Sequence, residues 1–249
     1  MNPIILENYI TILRAGAFKS KDNEIIPMSL HKWHVLGKMA KEHHVQGFLS
    51  NGINHIKESR ASNIPNITIV EQSDIAAEDA NENFNASKAF LSYNSTKRKW
   101  EELREEEMSD IHNISDETLQ LLDIIIMNAD YTIDSMVNIE GVLLLGRFIR
   151  ENKKAIDYTK LNKWLAMTKM VSMAEMLGTI LIEFFDFSQD ELPFMKTQVK
   201  NSNKIFTQTL EHTFRKQRTP LLTCLHLATF ETLCHRFSRV ISVVRDVEE

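Results

Sequence analysis

The sequence predicts an all-α fold, an irregular multi-helix bundle, on the strength of three observations. The chain of 249 residues contains only 7 Gly and 5 Pro, so it has few of the residues that separate many short strands. Its 11 Met, together with frequent Leu, Glu, Lys and Ala, favour helices. Apolar residues recur at helical spacing, and strand-like alternation is almost absent outside VISVV at 240–244.

Composition narrows the class of protein. A hydrophobic content of 43% and a charged content of 25% are typical of a globular chain. The net charge of −5 supplies no face that would neutralise phosphates, so we expect no nucleic-acid partner. Two cysteines, Cys224 and Cys234, fit a reducing compartment. No basic leader opens the chain and no run approaches the roughly 18 apolar residues of a membrane span. We therefore expect a cytoplasmic protein with no membrane partner.

Three helices are predicted in the first 57 residues. The apolar stripe of the first consists of Ile5, Tyr9, Ile12 and Leu13. Gly16 is its predicted C-cap, and Ser29 is the predicted N-cap of the second helix. The residues that we expect this second helix to bury are Leu30, Trp33, Leu36, Gly37 and Ala40. A third, shorter helix is predicted over Gly47–Ile56.

The middle of the chain is weakly patterned. Residues 58–68 form a polar interruption broken by Pro65. The stretch that follows, to about Glu107, has few apolar residues and ends in the densely charged KRKWEELREEE. Two interpretations stay open for it: a solvated helix face, or an arm around Trp100 that docks a second copy or a partner.

The C-terminal half is better patterned. A helix capped by Ser115 is predicted to bury Leu119, Leu122, Ile125 and Ile126. The next helix, over about 134–153, is predicted to bury Met136, Val137, Leu144, Leu145 and Phe148. Asp157 opens a third, with Leu161, Trp164 and Leu165 on one face. Ser172 with Glu175, and Ser188 with Glu191, match the spacing of capping boxes. Amphipathic stretches over Val199–Phe214 and Leu221–Val244 complete a single helical domain, 1–249, which divides at most into 1–57, 58–110 and 111–249.

Few side chains suggest chemistry. His31 and His34 lie three apart on one predicted helix, but a metal site needs two further ligands and no HExxH or CxxC spacing supplies them. At the end of that helix, the pair His43–His44 is interpreted as positive charge that offsets the helix dipole. Cys234 and His235 are adjacent in a predicted helix and point about 100° apart, so they cannot form a catalytic dyad.

Other features have ordinary structural explanations. The basic stretch Arg215–Arg218, with Lys204 before it, is interpreted as a solvated helix end. A face of methionines, Met167, Met170, Met173 and Met176, is interpreted as core packing or else as a binding surface. No GxGxxG, GxxxxGK[ST] or GxSxG motif occurs. We therefore predict no catalytic residue, no metal site and no cofactor.

Two segments resemble a bacterial nucleotidyltransferase-like family. LRAGAF and PMSLHKWHVLGKMAKEHHVQGFLSNGI are similar to the helices that precede the family's enzymatic core, and AIDYTKLNKWL with ELPF to its C-terminal helices. The first resemblance rests on Leu13, Arg14, Ala15, Gly16, Leu30, Trp33, Ala40, Val45, Gly47, Gly52 and Ile53. The second rests on Ile156, Asp157, Leu161, Trp164, Leu165 and residues 191–194. Together the two segments cover about a third of the chain.

The family's core is absent between these segments. The resemblance implies a small sheet with a Gly-Ser turn and an Asp-x-Asp pair that holds magnesium. Neither motif occurs there, and Asp22 and Glu24 lie in a polar connection too early in the chain. We therefore expect a non-catalytic helical protein that acts by binding a protein partner or a second copy. The alternative is a divergent nucleotidyltransferase that binds a nucleoside triphosphate and magnesium through unrecognised residues.

Overall fold

The all-α prediction is confirmed. A computed structural model describes residues 2–20, 24–59, 64, 94–109, 116–134 and 136–211. Within these ranges the chain forms nine α-helices and one 3-10 turn, and no strand. The described residues fall into two compact units: residues 2–64 with 207–211 belong to the first, and residues 94–206 to the second. The predicted subdivision at residues 57 and 110 stays a prediction.

The first unit contains three helices. They are α1 (Pro3–Phe18), α2 (Leu30–Glu42) and α3 (Gln46–Ser59). The predicted stripe of α1 is confirmed, since Ile5, Tyr9, Ile12 and Leu13 are all buried. Trp33, Leu36, Gly37 and Ala40 are buried on α2 as predicted.

Two glycines bring α1 and α3 into backbone contact, and the prediction that Gly16 caps α1 is wrong. The helix continues to Phe18, and Lys19 ends it in a left-handed conformation. A Cβ atom on Gly16 would lie 1.9 Å from the Phe48 carbonyl oxygen, and one on Gly52 would lie 2.0 Å from the Ile12 carbonyl oxygen. Both positions therefore exclude any side chain, because the neighbouring helix backbone occupies the space.

One further prediction for this unit is wrong, and one is confirmed only in position. Leu30 is 59% exposed rather than buried, because it is the first residue of α2 and faces solvent there. Ser29 is at the N-cap position of α2 as predicted, but its side chain makes no capping hydrogen bond. The third helix has 14 residues and is longer than predicted, since it begins at Gln46 and ends at Ser59.

A side-chain amide fixes the segment that leads into α2. Asn8, fully buried on α1, accepts a hydrogen bond from the Ile26 amide at 2.9 Å and donates one to the Ile26 carbonyl at 2.8 Å. Its amide nitrogen also lies 3.3 Å from the Met28 sulfur. One side chain thus satisfies both backbone groups of Ile26, which an extended segment leaves without helical partners.

The second unit contains the helices from α4 onward. They are α4 (Asn94–Ser109), α5 (Asp116–Asp134), α6 (Ile139–Asn152), α7 (Tyr158–Met167) and α8 (Val171–Phe185), followed by a 3-10 turn over Gln189–Glu191. The last helix, α9 (Ser202–Glu211), begins in this unit, and its residues from 207 onward belong to the first unit. The predicted stripes of α5 and α7 are confirmed as buried. The helix predicted over 134–153 begins late, because the Asn138 side chain accepts from the Gly141 amide and starts α6 at Ile139. Val137 and Leu145 are buried, whereas Met136, Leu144 and Phe148 are half-buried.

One of the two predicted capping boxes forms. Ser188 and Glu191 form theirs, and the Glu191 carboxylate accepts from the Ser188 amide at 2.9 Å. The box predicted at Ser172 and Glu175 is wrong, because α8 begins at Val171, two residues earlier than a cap at Ser172 requires, and Met170 precedes it without a side-chain cap. The Glu175 carboxylate instead accepts from the Lys196 amide and the Thr197 hydroxyl.

Substitution of a residue that caps a helix should destabilise it, whereas substitution of a residue predicted as a cap that makes no capping bond should not. Asp157 accepts from the amides of Thr159 and Lys160, so Asp157→Ala should destabilise α7 by about 1 kcal/mol. Ser172→Ala should change the stability of α8 by less than about 0.5 kcal/mol, since Ser172 caps nothing. Hydrogen exchange at the first amides of each helix measures both. An equal loss of protection in the two variants would contradict the assignment.

Several predictions fall outside the described residues. They concern the interruption after Ser59, the cap at Ser115, the stretch Leu221–Val244, the alternation at 240–244, Cys224, Cys234 and His235, and the basic stretch Arg215–Arg218.

Candidate functional site

The charged helix α4 is anchored by a buried carboxylate on α5. Asp123 is 5% exposed and accepts a hydrogen bond from the Trp100 indole at 2.6 Å and one from the Arg104 guanidinium at 2.6 Å. The Arg104 guanidinium carbon also lies 5.3 Å from the centre of the Trp100 ring, within the range of a cation–π contact. Two side chains of α4 and one of α5 thus form a single hydrogen-bonded cluster, which we call the Asp123 group.

Burial decides the electrostatics of this group. Desolvation raises the pKa of the Asp123 carboxyl, and the hydrogen bonds from Trp100 and Arg104 only partly oppose that shift. A buried pair whose desolvation is incompletely offset specifies where two helices meet more than it stabilises the fold. The group therefore fixes the position of α4 on α5.

A second group with similar chemistry joins α4 to α7. Lys160 forms an ion pair with Glu107, and its ammonium nitrogen lies 5.1 Å from the centre of the Trp164 ring. Glu107 is 9% exposed, and its second carboxylate oxygen has no hydrogen-bond partner. Each group combines a tryptophan, a cation and a carboxylate, and together they hold α4 against two helices of the second unit.

The opposite face of α4 is exposed and charged. Its outward residues include Lys97, Arg98, Glu101, Glu102 and Glu105. Two ion pairs run along it, Lys97–Glu101 at 3.9 Å and Arg98–Glu102 at 3.3 Å, and all four side chains are at least 45% exposed. The basic residues lie toward the start of the helix and the acidic residues toward its end. This is the reverse of the order that the helix dipole favours.

The binding surfaces predicted from sequence are corrected in part. Trp100 is 7% exposed, and its indole donates a hydrogen bond to Asp123 inside the second unit. It therefore cannot be the contact residue of a docking arm. The methionine face is core, because Met170, Met173 and Met176 are at most 1% exposed; Met167 is half-buried. Of the two surfaces considered, the charged outer face of α4 is the one left exposed.

The histidines are dispersed. His31 and His34 are exposed on α2, and no group of three or more His, Cys, Asp or Glu side chains able to hold a metal occurs in the described ranges. The prediction that His43 carries positive charge at the helix end is wrong. Burial first, and the neighbouring His44 second, lower the pKa of His43 to about 4. His43 is therefore neutral at pH 7, with its ring centre 6.3 Å from that of Tyr9.

Sequence reasoning missed Asp123, although a signal was present. Asp123 is the only charged residue between Thr118 and Ala129, an otherwise mostly apolar stretch of α5. An acidic residue in such a run is either buried with hydrogen-bonding partners or lies on a side of the helix that is exposed to solvent. Its partners, Trp100 and Arg104, were assigned to a solvated helix or an arm, because nothing in their spacing shows which helix they contact.

The residues that carry the resemblance to the nucleotidyltransferase-like family are mostly packing residues. Leu13, Ala15, Trp33, Ala40 and Val45 are in the core of the first unit. Ile156, Leu161, Trp164, Leu165, Leu192 and Phe194 are buried in the second, and Asp157 is a cap. No helix among the described residues is long and apolar enough to span a bilayer. No family model, curated protein or solved structure matches the chain.

Proposed function

We propose that this protein is a non-catalytic helical binding module and that the outer face of α4 contacts its protein partner. One observation carries the proposal: a helix with an unfavourable charge order is bonded to α5 and α7 through its inner face, so that its charged face points outward. Basic residues at the start of a helix and acidic residues at its end reduce its intrinsic stability by roughly 0.3–1 kcal/mol each. The groups around Asp123 and Glu107 determine where α4 lies on the second unit.

The outer face of α4 has basic residues in its first half and acidic residues in its second half, and such a pattern suits the specific recognition of a partner. Complementary charges across an interface select the partner and speed association more than they add affinity. The partner is therefore a protein segment of opposite charge order, or a second copy that lies antiparallel. The resemblance to accessory helices of a nucleotidyltransferase-like family agrees with a role outside catalysis.

A charge swap tests the proposal without disturbing the fold. Arg98→Glu combined with Glu102→Arg keeps the net charge and the ion-pair spacing, and it places the acid nearer the start of α4. We expect the helix to be retained and binding to fall by about tenfold or more. Cross-linking with mass spectrometry in a native extract measures partner binding, and sedimentation velocity measures self-association.

A matched control lies on α6. Arg147 and Glu151 have the same order and spacing and are both exposed, so Arg147→Glu with Glu151→Arg should leave binding unchanged. Equal binding by the native chain and both swapped variants would exclude α4 as the contact face. A rise in melting temperature that requires both a nucleoside triphosphate and magnesium would overturn the non-catalytic proposal in favour of a divergent nucleotidyltransferase.

A further inference from the structure

The outer face of α4 is complementary in charge to a second copy of itself. Lys97 and Arg98 lie in the first half of this helix, and Glu101, Glu102 and Glu105 follow in the second half. When two such helices lie antiparallel, the basic half of each faces the acidic half of the other, whereas a parallel pair brings like charges together. An unrelated partner needs a matching charge order of its own, but a second copy has that order by symmetry.

The helix dipoles favour the same antiparallel arrangement. Within one α4 the basic residues lie near the positive end of the dipole, which is unfavourable. In an antiparallel pair they lie beside the C-terminal end of the other helix, where the dipole is negative, and the acidic residues lie beside its N-terminal end. The charge order that destabilises the isolated helix therefore stabilises the pair.

The positions of two oppositely charged residues set the register of the pair. Arg98 and Glu105 are seven residues apart, which places them on the same side of the helix and about 10 Å apart along its axis. The Arg98 side chain is 75% exposed although it pairs with Glu102. Glu105 is exposed and forms no ion pair within the described residues. Both side chains are therefore accessible to the oppositely charged residue of a second copy.

We propose that the outer face of α4 pairs antiparallel with the same face of a second copy, so that the chain forms a symmetric dimer in which Arg98 of each copy lies opposite Glu105 of the other. This inference rests on the proposed function and names the protein partner as the chain itself. The two-fold axis then lies at the level of Glu101 and Glu102, where acidic residues of the two copies approach each other. Their repulsion is reduced because each is paired within its own helix, with Lys97 and Arg98 respectively.

The strength of the dimer follows from the exposure of these charges. An exposed ion pair contributes only about 0–1 kcal/mol, and dissolved salt screens it. The association should therefore be weak and sensitive to ionic strength. Raising the concentration of NaCl from about 50 mM to about 500 mM should weaken it several-fold.

Complementary single charge reversals test the pairing in the full chain. Arg98→Glu places a glutamate opposite Glu105 twice in each dimer, and Glu105→Arg places an arginine opposite Arg98 twice. Each variant alone should associate at least about tenfold more weakly than the native chain. In an equimolar mixture each reversed residue faces an opposite charge again, so heterodimers should form with about the native affinity. Sedimentation velocity measures the association, and native mass spectrometry distinguishes heterodimers by their mass.

Two controls accompany the reversals. Arg147→Glu reverses an exposed charge on α6 and should leave the association unchanged. Hydrogen exchange across Asn94–Ser109 should show that α4 stays folded in both α4 variants, since each substitution is on the exposed face.

The results separate this dimer from the more general proposal that α4 contacts a protein. A native chain that stays monomeric at low salt would overturn the dimer, and so would a mixture of folded variants that does not recover association. Cross-links in a native extract then judge the proposed function. Cross-links from the outer face of α4 to a different protein would leave that function standing without the dimer, and their absence from a monomeric chain would overturn both.

Discussion

Gly52→Ala is expected to destabilise the packing of α1 against α3 by about 3 kcal/mol. The added Cβ would lie 2.0 Å from the Ile12 carbonyl oxygen and 2.9 Å from its carbonyl carbon. Both are backbone atoms of a neighbouring helix, so no side-chain rotation relieves the clash and the helices must separate. Hydrogen exchange of the α1 and α3 amides, followed by mass spectrometry, measures the loss in this unit alone.

The same helix provides the control. Gly47 lies near the start of α3, and a Cβ added there would have no atom within 4 Å. Gly47→Ala should therefore stabilise α3 by up to about 1 kcal/mol, because alanine favours a helix more than glycine does. If both alanine variants shift protection in the same direction, close backbone approach is not the reason for glycine at position 52.

Asp123→Ala is expected to release α4 from α5, with a loss of about 3 kcal/mol. The substitution removes the acceptor of two hydrogen bonds, and it leaves the buried Trp100 indole and the Arg104 guanidinium without their common partner. Arg104 is partly exposed and can turn toward water, whereas Trp100 cannot. Hydrogen exchange across Asn94–Ser109 should increase, while the amides of α8 should keep their protection.

Replacing Asp123, Arg104 and Trp100 together by apolar residues tests whether this cluster only positions α4 or also stabilises the fold. Because desolvation raises the pKa of Asp123 despite its two donors, the group is not a large source of net stability. Asp123→Leu with Arg104→Met and Trp100→Phe should restore much of the protection lost in Asp123→Ala. A triple variant less stable than the single one would show that the ionised group stabilises the contact outright.

The helical content of this chain follows from local features that are visible in the sequence. The stripes of α1, α5 and α7 were predicted, because apolar spacing directly reports which face a helix buries. The cap at Asp157 and the box of Ser188 with Glu191 were also predicted, since their donors and acceptors lie within three residues of each other.

Predictions failed where a distant residue decides the outcome. Gly16 has the sequence signature of a C-cap, but it is glycine because the Phe48 carbonyl of α3 occupies the space of its side chain. Glu175 has the spacing of a capping box, but the loop at Lys196 and Thr197 supplies its donors. In each case a local pattern had two explanations, and the sequence around it favoured the wrong one.

The candidate site shows the same division. The charge order along α4 is a property of the sequence alone. Only tertiary structure decided that Trp100 faces inward to Asp123 and that the methionine face is core. The reason is physical: helical periodicity places residues on a face, but the free energy of burying a polar group depends on which donors and acceptors the other helices bring to it.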